Sequence, residues 1–321
     1  MRNAFADEIT RYAQQDDRVV MLSGDIGNRL FDPFISACPE RFFNCGVAEA
    51  NLIGMAAGMA MCGLRPVAYT IAPFITTRCL EQIRVDLCYH RQPVVIVGVG
   101  GGLSYASLGG THHACEDIGL MRLLPDMSVL CPGDAMEVRG AIRAALAHDG
   151  PVYVRLGKRR EPVVHDDVPE VTLGKSIPIR HGTDVALLAV GNMLPTACEV
   201  SDLLEQRGVS ARVESFLSVK PLDDNALNDV FGTCKLVAVI EEHSMLGGCG
   251  SAVAEWIASE RLRDQVDPFT ARLITFGTRD EFMHQAGSQD YARAWYGLTV
   301  ADIQLRIHAA LQSVAAEETN R

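Results

Sequence analysis

The sequence predicts an α/β protein built as two three-layer α/β/α domains with mostly parallel sheets. Short, nearly continuous apolar runs alternate with longer helical stretches. The runs are bounded by Gly, Pro or Asp, as expected of strands covered on both faces. The alternation breaks once, in a charged stretch with three prolines, and then resumes. These observations give a first domain over residues 1–157, a linker over 158–183 and a second domain over 184–321. A chain of 321 residues, 48% hydrophobic, is long and apolar enough for two buried cores.

The elements follow in order. "RVVMLSGD" (18–25), "PVAYTIA" (66–72), "PVVIVGVG" (93–100), "MSVLCPGD" (127–134) and "PVYVRLG" (151–157) read as buried strands. Between them "AEANLIGMAAGMAMCG", "TRCLEQIRVDLCYH" and "DAMEVRGAIRAALAHDG" read as helices. In the last, Asp134 caps the N-terminus and Glu137 completes a capping box. "KRREPVVHDDVPEVTLGKSIPIRHG" has no long period and is read as a linker with room for one short strand. Strands resume at "DVALLAVG" (184–191), "SARVES" (210–215), "KLVAVIEEH" (235–243) and "RLITFG" (272–277), with a helix at 196–209 and a closing helix over 301–315. The tail "AEETNR" reads as frayed.

A net charge of −11 argues against nucleic acid as a partner, because phosphate contacts need a basic surface. The opening "MRNAFADEIT" has no apolar segment of a secretory leader behind it, and no run of about 18 apolar residues suits a membrane span. The ten cysteines stand singly, none as C-x-x-C, so neither a zinc site nor a redox pair is read. The expected setting is reduced and cytoplasmic. "VGVGGG" is neither G-x-G-x-x-G nor a phosphate loop, and is read as flexible loop after a strand.

One helix carries an unusual pattern. In "GVAEANLIGMAAGMAM" (46–61), Ala50, Gly54, Gly58 and Cys62 recur at i+4 and leave a face almost without side chains, open to close approach by another helix across a subunit interface. Glu49 stands at its start, where the helix dipole favours a carboxylate. The pattern alone leaves two readings, a plain helix-start acid or a carboxylate held at an interface for a ligand.

The ordered set "GVAEANLIGMAAGMAMCGLRPVAYTIAPF", "QPVVIVGVGGG", "GGTHHACEDIGLMRLLPDMSVLCPGD" and "GPVYVRLGK" resembles the pyrimidine-binding domain of transketolase. "DVALLAVGN", "KPLDD" and "VIEEHSMLGGCGSAVAE" resemble the C-terminal domain of that family, with wording similar to the split transketolases. The resemblance implies thiamine diphosphate as cofactor, with Glu49 bonded to N1′ of its aminopyrimidine. That contact favours the imino tautomer, which lets thiazolium C2 lose its proton and attack a ketose carbonyl. A buried carboxylate there would promote sharing of the proton with the ring.

By position the resemblance also implies Phe74 stacked on the pyrimidine, although a lone Phe after a strand is equally read as core. His112 would contact sugar hydroxyls and transfer a proton, with His113 as its neighbour. Asp25 lies just past the first strand, where α/β sheets place ligands, though a turn-capping Asp reads the same way. Lys158 and Arg29 would contact an anionic group, Lys158 as a point charge; a solvated linker start is the plain alternative for Lys158. "EEH" (241–243) with "GGCG" would serve packing and interfaces.

The chain lacks the G-D-G run and following Asn that the family uses for Mg²⁺ and diphosphate. The implied partner is therefore an N-terminal transketolase subunit carrying that cradle, with no metal ligand in this chain and a heterotetramer of two copies of each as the expected assembly. Gly100 stands where the family usually has a substrate histidine and Leu108 where it has an acid, with Tyr105 or Ser107 as candidate replacements. The implied reaction is transfer of a two-carbon ketol unit from a ketose, free or phosphorylated, to an aldehyde acceptor. The alternatives are the β subunit of the decarboxylating component of a 2-oxo acid dehydrogenase, a 1-deoxyxylulose-phosphate-synthase-like lyase, and a subunit that only supports a catalytic partner.

Overall fold

A computed structural model describes residues 1–27, 29–158, 161–264, 269 and 271–319. Among the described residues twelve strands occur in chain order: β1 (Val19–Ser23), β2 (Phe42–Asn44), β3 (Arg65–Ile71), β4 (Val95–Val99), β5 (Ser128–Leu130), β6 (Val152–Leu156), β7 (Ile177–Arg180), β8 (Val185–Ala189), β9 (Ala211–Ser215), β10 (Ser218–Lys220), β11 (Leu236–Ser244) and β12 (Arg272–Thr278). Seven form one sheet in the order β10-β5-β6-β4-β3-β1-β2, and five form a second in the order β12-β11-β8-β9-β7. All pairings are parallel except β10 with β5 and β7 with β9, each at a sheet edge. Helices flank both sheets, so the molecule is two α/β/α units.

Strands β1, β4, β6 and β8 are buried along their whole length, which is why they read as nearly continuous apolar runs, with Arg155 of β6 the charged exception. One hydrophobic core packs Leu52, Ile53 and Ile96 of the first unit in the same cluster as Leu188, Phe231 and Val253 of the second. The two units therefore share buried apolar surface. Strand β10, encoded in the second half, completes the first sheet by pairing with β5, with Ser218 opposite Leu130.

Several local expectations are revised. The helix expected around 77–90 begins at Leu80–Gln82 and widens into a π-helix over Ile83–Tyr89. Asp134 caps the helix Ala135–Ala147 by accepting from the N–H groups of Met136 and Glu137, but the Glu137 carboxylate bonds the Gly133 N–H at 2.6 Å and so does not close the usual box. The glycine run after β4 is not a free loop. Gly100 and Gly101 donate to the Leu156 carbonyl at 2.8 and 2.9 Å, and Gly102 bridges Ala114. The final helix runs over Val300–Thr319, and an ion pair from Glu317 to Arg272 ties its end down.

Candidate active site

The carboxyl ends of five neighbouring strands carry the residues singled out above. Asp25 follows β1, Glu49 follows β2, Phe74 follows β3, His112 lies in the segment after β4, and Lys158 follows β6. Ligands in open parallel sheets gather at this edge.

Glu49 is the first residue of the helix Glu49–Met61 and its side chain is only 2% exposed. Leu52, Ile53 and Ala56 turn into the core, while Gly54 is half-buried and Gly58 exposed. A β-carbon added at either glycine would meet nothing within 4 Å, so this face is open in the single chain. The described partner of the Glu49 carboxylate is Arg78, whose Nη1 donates to Oε2 at 2.8 Å.

From Arg78 a continuous line of contacts runs across the sheet edge. The Arg78 guanidinium lies 4.4 Å from the centroid of the Phe74 ring. Phe74 meets the His112 imidazole edge-on at 5.1 Å, and His112 meets Tyr105 at 6.0 Å. The Lys158 ammonium sits 4.4 Å over the Tyr105 ring. Glu49, Phe74, His112 and Lys158 are thus brought together, joined by Arg78 and Tyr105. Partial burial, with the nearby His113 and Lys158, moves the His112 pKa below the usual histidine value, which favours the neutral ring. Its Nδ1 is 2.9 Å from the Thr111 hydroxyl.

The remaining candidates stand apart from this line. Asp25 and Arg29, both at positive φ, line a separate cleft of about 620 Å³ with Arg2 and Asn3. Asp25 accepts from Asn44 Nδ2 at 2.9 Å, and Asn44 in turn accepts from the Gly46 N–H, which ties this turn to the approach to Glu49. Arg2 Nε is buried without a hydrogen-bond partner among the described residues. Burial moves the Tyr69 phenol pKa upward, with Arg2 opposing that shift and Tyr105 reinforcing it. His113 lines a smaller cleft with Glu116 and with Thr278 and Tyr296 of the second unit.

Gly100 has φ +82°, and a β-carbon there would lie 2.1 Å from the Tyr105 ring. Tyr105 fills the space that a side chain at position 100 would enter. Leu108 is half-exposed. Arg78 and Arg2 are the functional candidates that sequence reasoning missed. Arg78 was visible as a cation one helical turn after Phe74, but no local pattern pointed to Arg2.

Among the described residues no cluster of His, Cys, Asp and Glu could hold a metal ion, and no helix is long and apolar enough to cross a membrane. The buried Glu49, one arginine from the Phe74 ring and at the start of a helix with an open face, fits an aminopyrimidine. Glu49 would hold its ring nitrogen and Phe74 its face.

With this geometry in view, two family profiles match the chain: the transketolase pyrimidine-binding domain over residues 1–162 and the transketolase C-terminal domain over residues 159–303. The chain belongs to the transketolase family. Its similarity spans nearly the full length of proteins described as split-transketolase subunits. A solved structure described as a split gene transketolase, inactive beta4 tetramer, superposes with TM-score 0.88 at 34% identity, over 97% of this chain and 98% of that one. The 6-deoxy-6-sulfo-D-fructose transketolase subunit SqwH of Clostridium sp. is 35% identical over 96% of this chain and 93% of that protein. A subunit of the apulose-4-phosphate transketolase of Phocaeicola vulgatus is 34% identical over 92% of this chain and 93% of that protein. The family implies dependence on thiamine diphosphate.

Proposed function

We propose that this chain is the pyrimidine-binding subunit of a split, thiamine-diphosphate-dependent transketolase, active only with a subunit that supplies the diphosphate and Mg²⁺ cradle. The observation that carries this is the buried Glu49 carboxylate at the open-faced helix start, one arginine away from Phe74 and His112. The chemistry supplied by bound thiamine diphosphate is addition of its thiazolium carbon to a ketose carbonyl and storage of the electron pair released on C–C cleavage. Glu49 holds a proton at N1′ of the aminopyrimidine, and Phe74 orients the ring. Neutral His112 accepts a proton from a donor hydroxyl and returns it to the acceptor. Lys158 holds an anionic end of the sugar as a point charge, with Arg29 and Arg2 as further cations beyond Tyr69. Two relatives are named for substrates carrying a phosphate or a sulfo group. That supports a ketose with an anionic tail as donor, from which a two-carbon unit passes to an aldehyde.

In this reading residues 1–157 hold the pyrimidine, 158–183 link and 184–321 complete the subunit, which works in the cytoplasm as a heterotetramer. A synthase-type reaction is the second reading, because 1-deoxy-D-xylulose-5-phosphate synthase of Heliobacterium modesticaldum is 33% identical over 93% of this chain and 45% of that protein. The test is ketol transfer by the chain combined with its diphosphate-binding subunit, using ketose phosphates as donors against pyruvate. Transfer from a ketose that disappears with Glu49→Ala supports the proposal. Full activity with Glu49→Ala would reduce the chain to a supporting role, and turnover of pyruvate alone would favour the synthase.

A further inference from the structure

The segment between β4 and the helix Asp117–Leu123 carries Tyr105, His112 and His113, and it is closed into a ring at its base by paired hydrogen bonds between Gly102 and Ala114, 2.9 and 3.0 Å. Several of the bonds that hold this ring come from the second unit. At the end of β11, Glu242 lies fully buried, and its carboxylate accepts from the Leu103 N–H at 3.0 Å. The same carboxylate accepts from Asn192 Nδ2 at 3.0 Å, from Gln289 Nε2 at 2.9 and 3.1 Å, and from Arg293 Nε. Burial alone would push its pKa up, but Arg293, Asn192 and the Leu103 N–H outweigh that and hold it below the usual glutamate value.

The next two residues take the returning leg. The Ser244 N–H donates to the Cys115 carbonyl at 2.8 Å, and His243 Nε2 accepts from the Gly119 N–H at 3.1 Å. Arg155 spans the seam, its Nη2 donating to the carbonyls of both Ala114 and Glu242 at 2.8 and 2.9 Å. Contact is close enough to require glycine at 102. Its φ is +63°, and a β-carbon there would lie 2.5 Å from Glu242 Cβ. A residue that served only to fold the second unit would have no need to bond the outgoing leg of this ring.

We propose that Glu242 is a positioning residue: it relays the placement of the helix Gln289–Trp295 to the ring 102–114 and thereby fixes His112 and Tyr105 at the site. The catalytic consequence rests on the function proposed above, whereas the geometric claim does not.

The test is Glu242→Gln, which keeps the size but turns an amide N–H toward a cage made entirely of donors. Gln289→Ala, which leaves Arg293, Asn192 and Leu103 in place, is the milder second variant. In the full chain, hydrogen exchange over residues 102–116 should accelerate by about tenfold in Glu242→Gln and less in Gln289→Ala, with residues 49–61 unchanged. In the complex with the diphosphate-binding subunit, hydroxypyruvate serves as a minimal two-carbon donor. Its KM should rise by about tenfold, the worth of one charge-assisted hydrogen bond, while the thiamine diphosphate Kd stays within about twofold. Wild-type exchange in both variants would overturn the proposal. So would faster exchange with an unchanged KM, or exchange raised uniformly through the second unit with only kcat falling. A wild-type complex that transfers no ketol unit would instead sink the proposed function, leaving the exchange measurement to decide the geometric claim by itself.

Discussion

Removing Asp117 should cost more stability than any surface change, because it strands a charge at the seam. Asp117 and Arg155 have side chains 1% and 3% exposed and meet at 2.8 Å, and the Tyr153 hydroxyl donates to the same carboxylate oxygen at 2.7 Å. Burial disfavours the Arg155 cation, but Asp117 outweighs it and moves the guanidinium pKa upward. At this separation the gross attraction is about 6 kcal/mol with an effective dielectric of about 20. Desolvation of both ions takes back much of this, so the pair adds little over an apolar replacement. Asp117→Ala alone, however, leaves Arg155 buried with only carbonyl partners and should lower the unfolding free energy by about 3–5 kcal/mol. Replacing the whole group (Asp117→Leu, Arg155→Met, Tyr153→Phe) should recover most of that loss. Urea unfolding followed by circular dichroism measures both. A change under about 1 kcal/mol for Asp117→Ala would refute the reasoning.

Three further outcomes follow from the same geometry. Phe74→Ala removes the ring between Arg78 and His112 and should weaken thiamine diphosphate binding by the assembled enzyme about tenfold, measured by calorimetry. Gly54→Leu should leave the isolated chain folded and no less stable, since the face is open and Leu is the better helix former, yet abolish assembly in light scattering. His165 Nδ1 donates to Asp134 at 3.1 Å, and that bond raises its pKa against the effect of burial, with Glu137 adding to the rise. Its contribution is therefore full below about pH 6.5 and is lost as pH climbs through the raised value, so His165→Asn should flatten the fall of melting temperature on the alkaline side. Asp134, held down by His165 and three backbone N–H groups despite burial, works the other way and loses its contribution on acidification.

Legibility followed locality. Strands buried on both faces announce themselves as apolar runs, so β1, β3, β4, β6 and β8 could be read directly. Strands β2 and β10 are three residues each, and β7 carries Pro178 at a sheet edge, so none has a period to detect. The glycine run at 98–102 reads as loose because its restraints, Leu156, Ala114 and Glu242, lie far along the chain. Glu137 illustrates the same limit, as its spacing spells a capping box while its carboxylate turns to Gly133. At the candidate site, Glu49, Phe74 and His112 were singled out from their motifs, and the structure places them near one another. Arg78 stands four residues after Phe74 in the sequence, but its bond to Glu49, and the place of Arg2 beside Asp25 and Arg29, became apparent only in the folded chain. Glu242 could be read as packing, but its grip on the segment bearing His112 is a contact across 139 residues of sequence.

The central claim is that this chain holds only half of a cofactor site, the half centred on Glu49. Calorimetric titration of thiamine diphosphate with Mg²⁺ into the chain alone, and then into the chain mixed with its diphosphate-binding subunit, tests it most directly. The account predicts saturable binding only in the mixture, weakened by Glu49→Ala. Tight binding to the chain alone, or no binding in either titration, would contradict it.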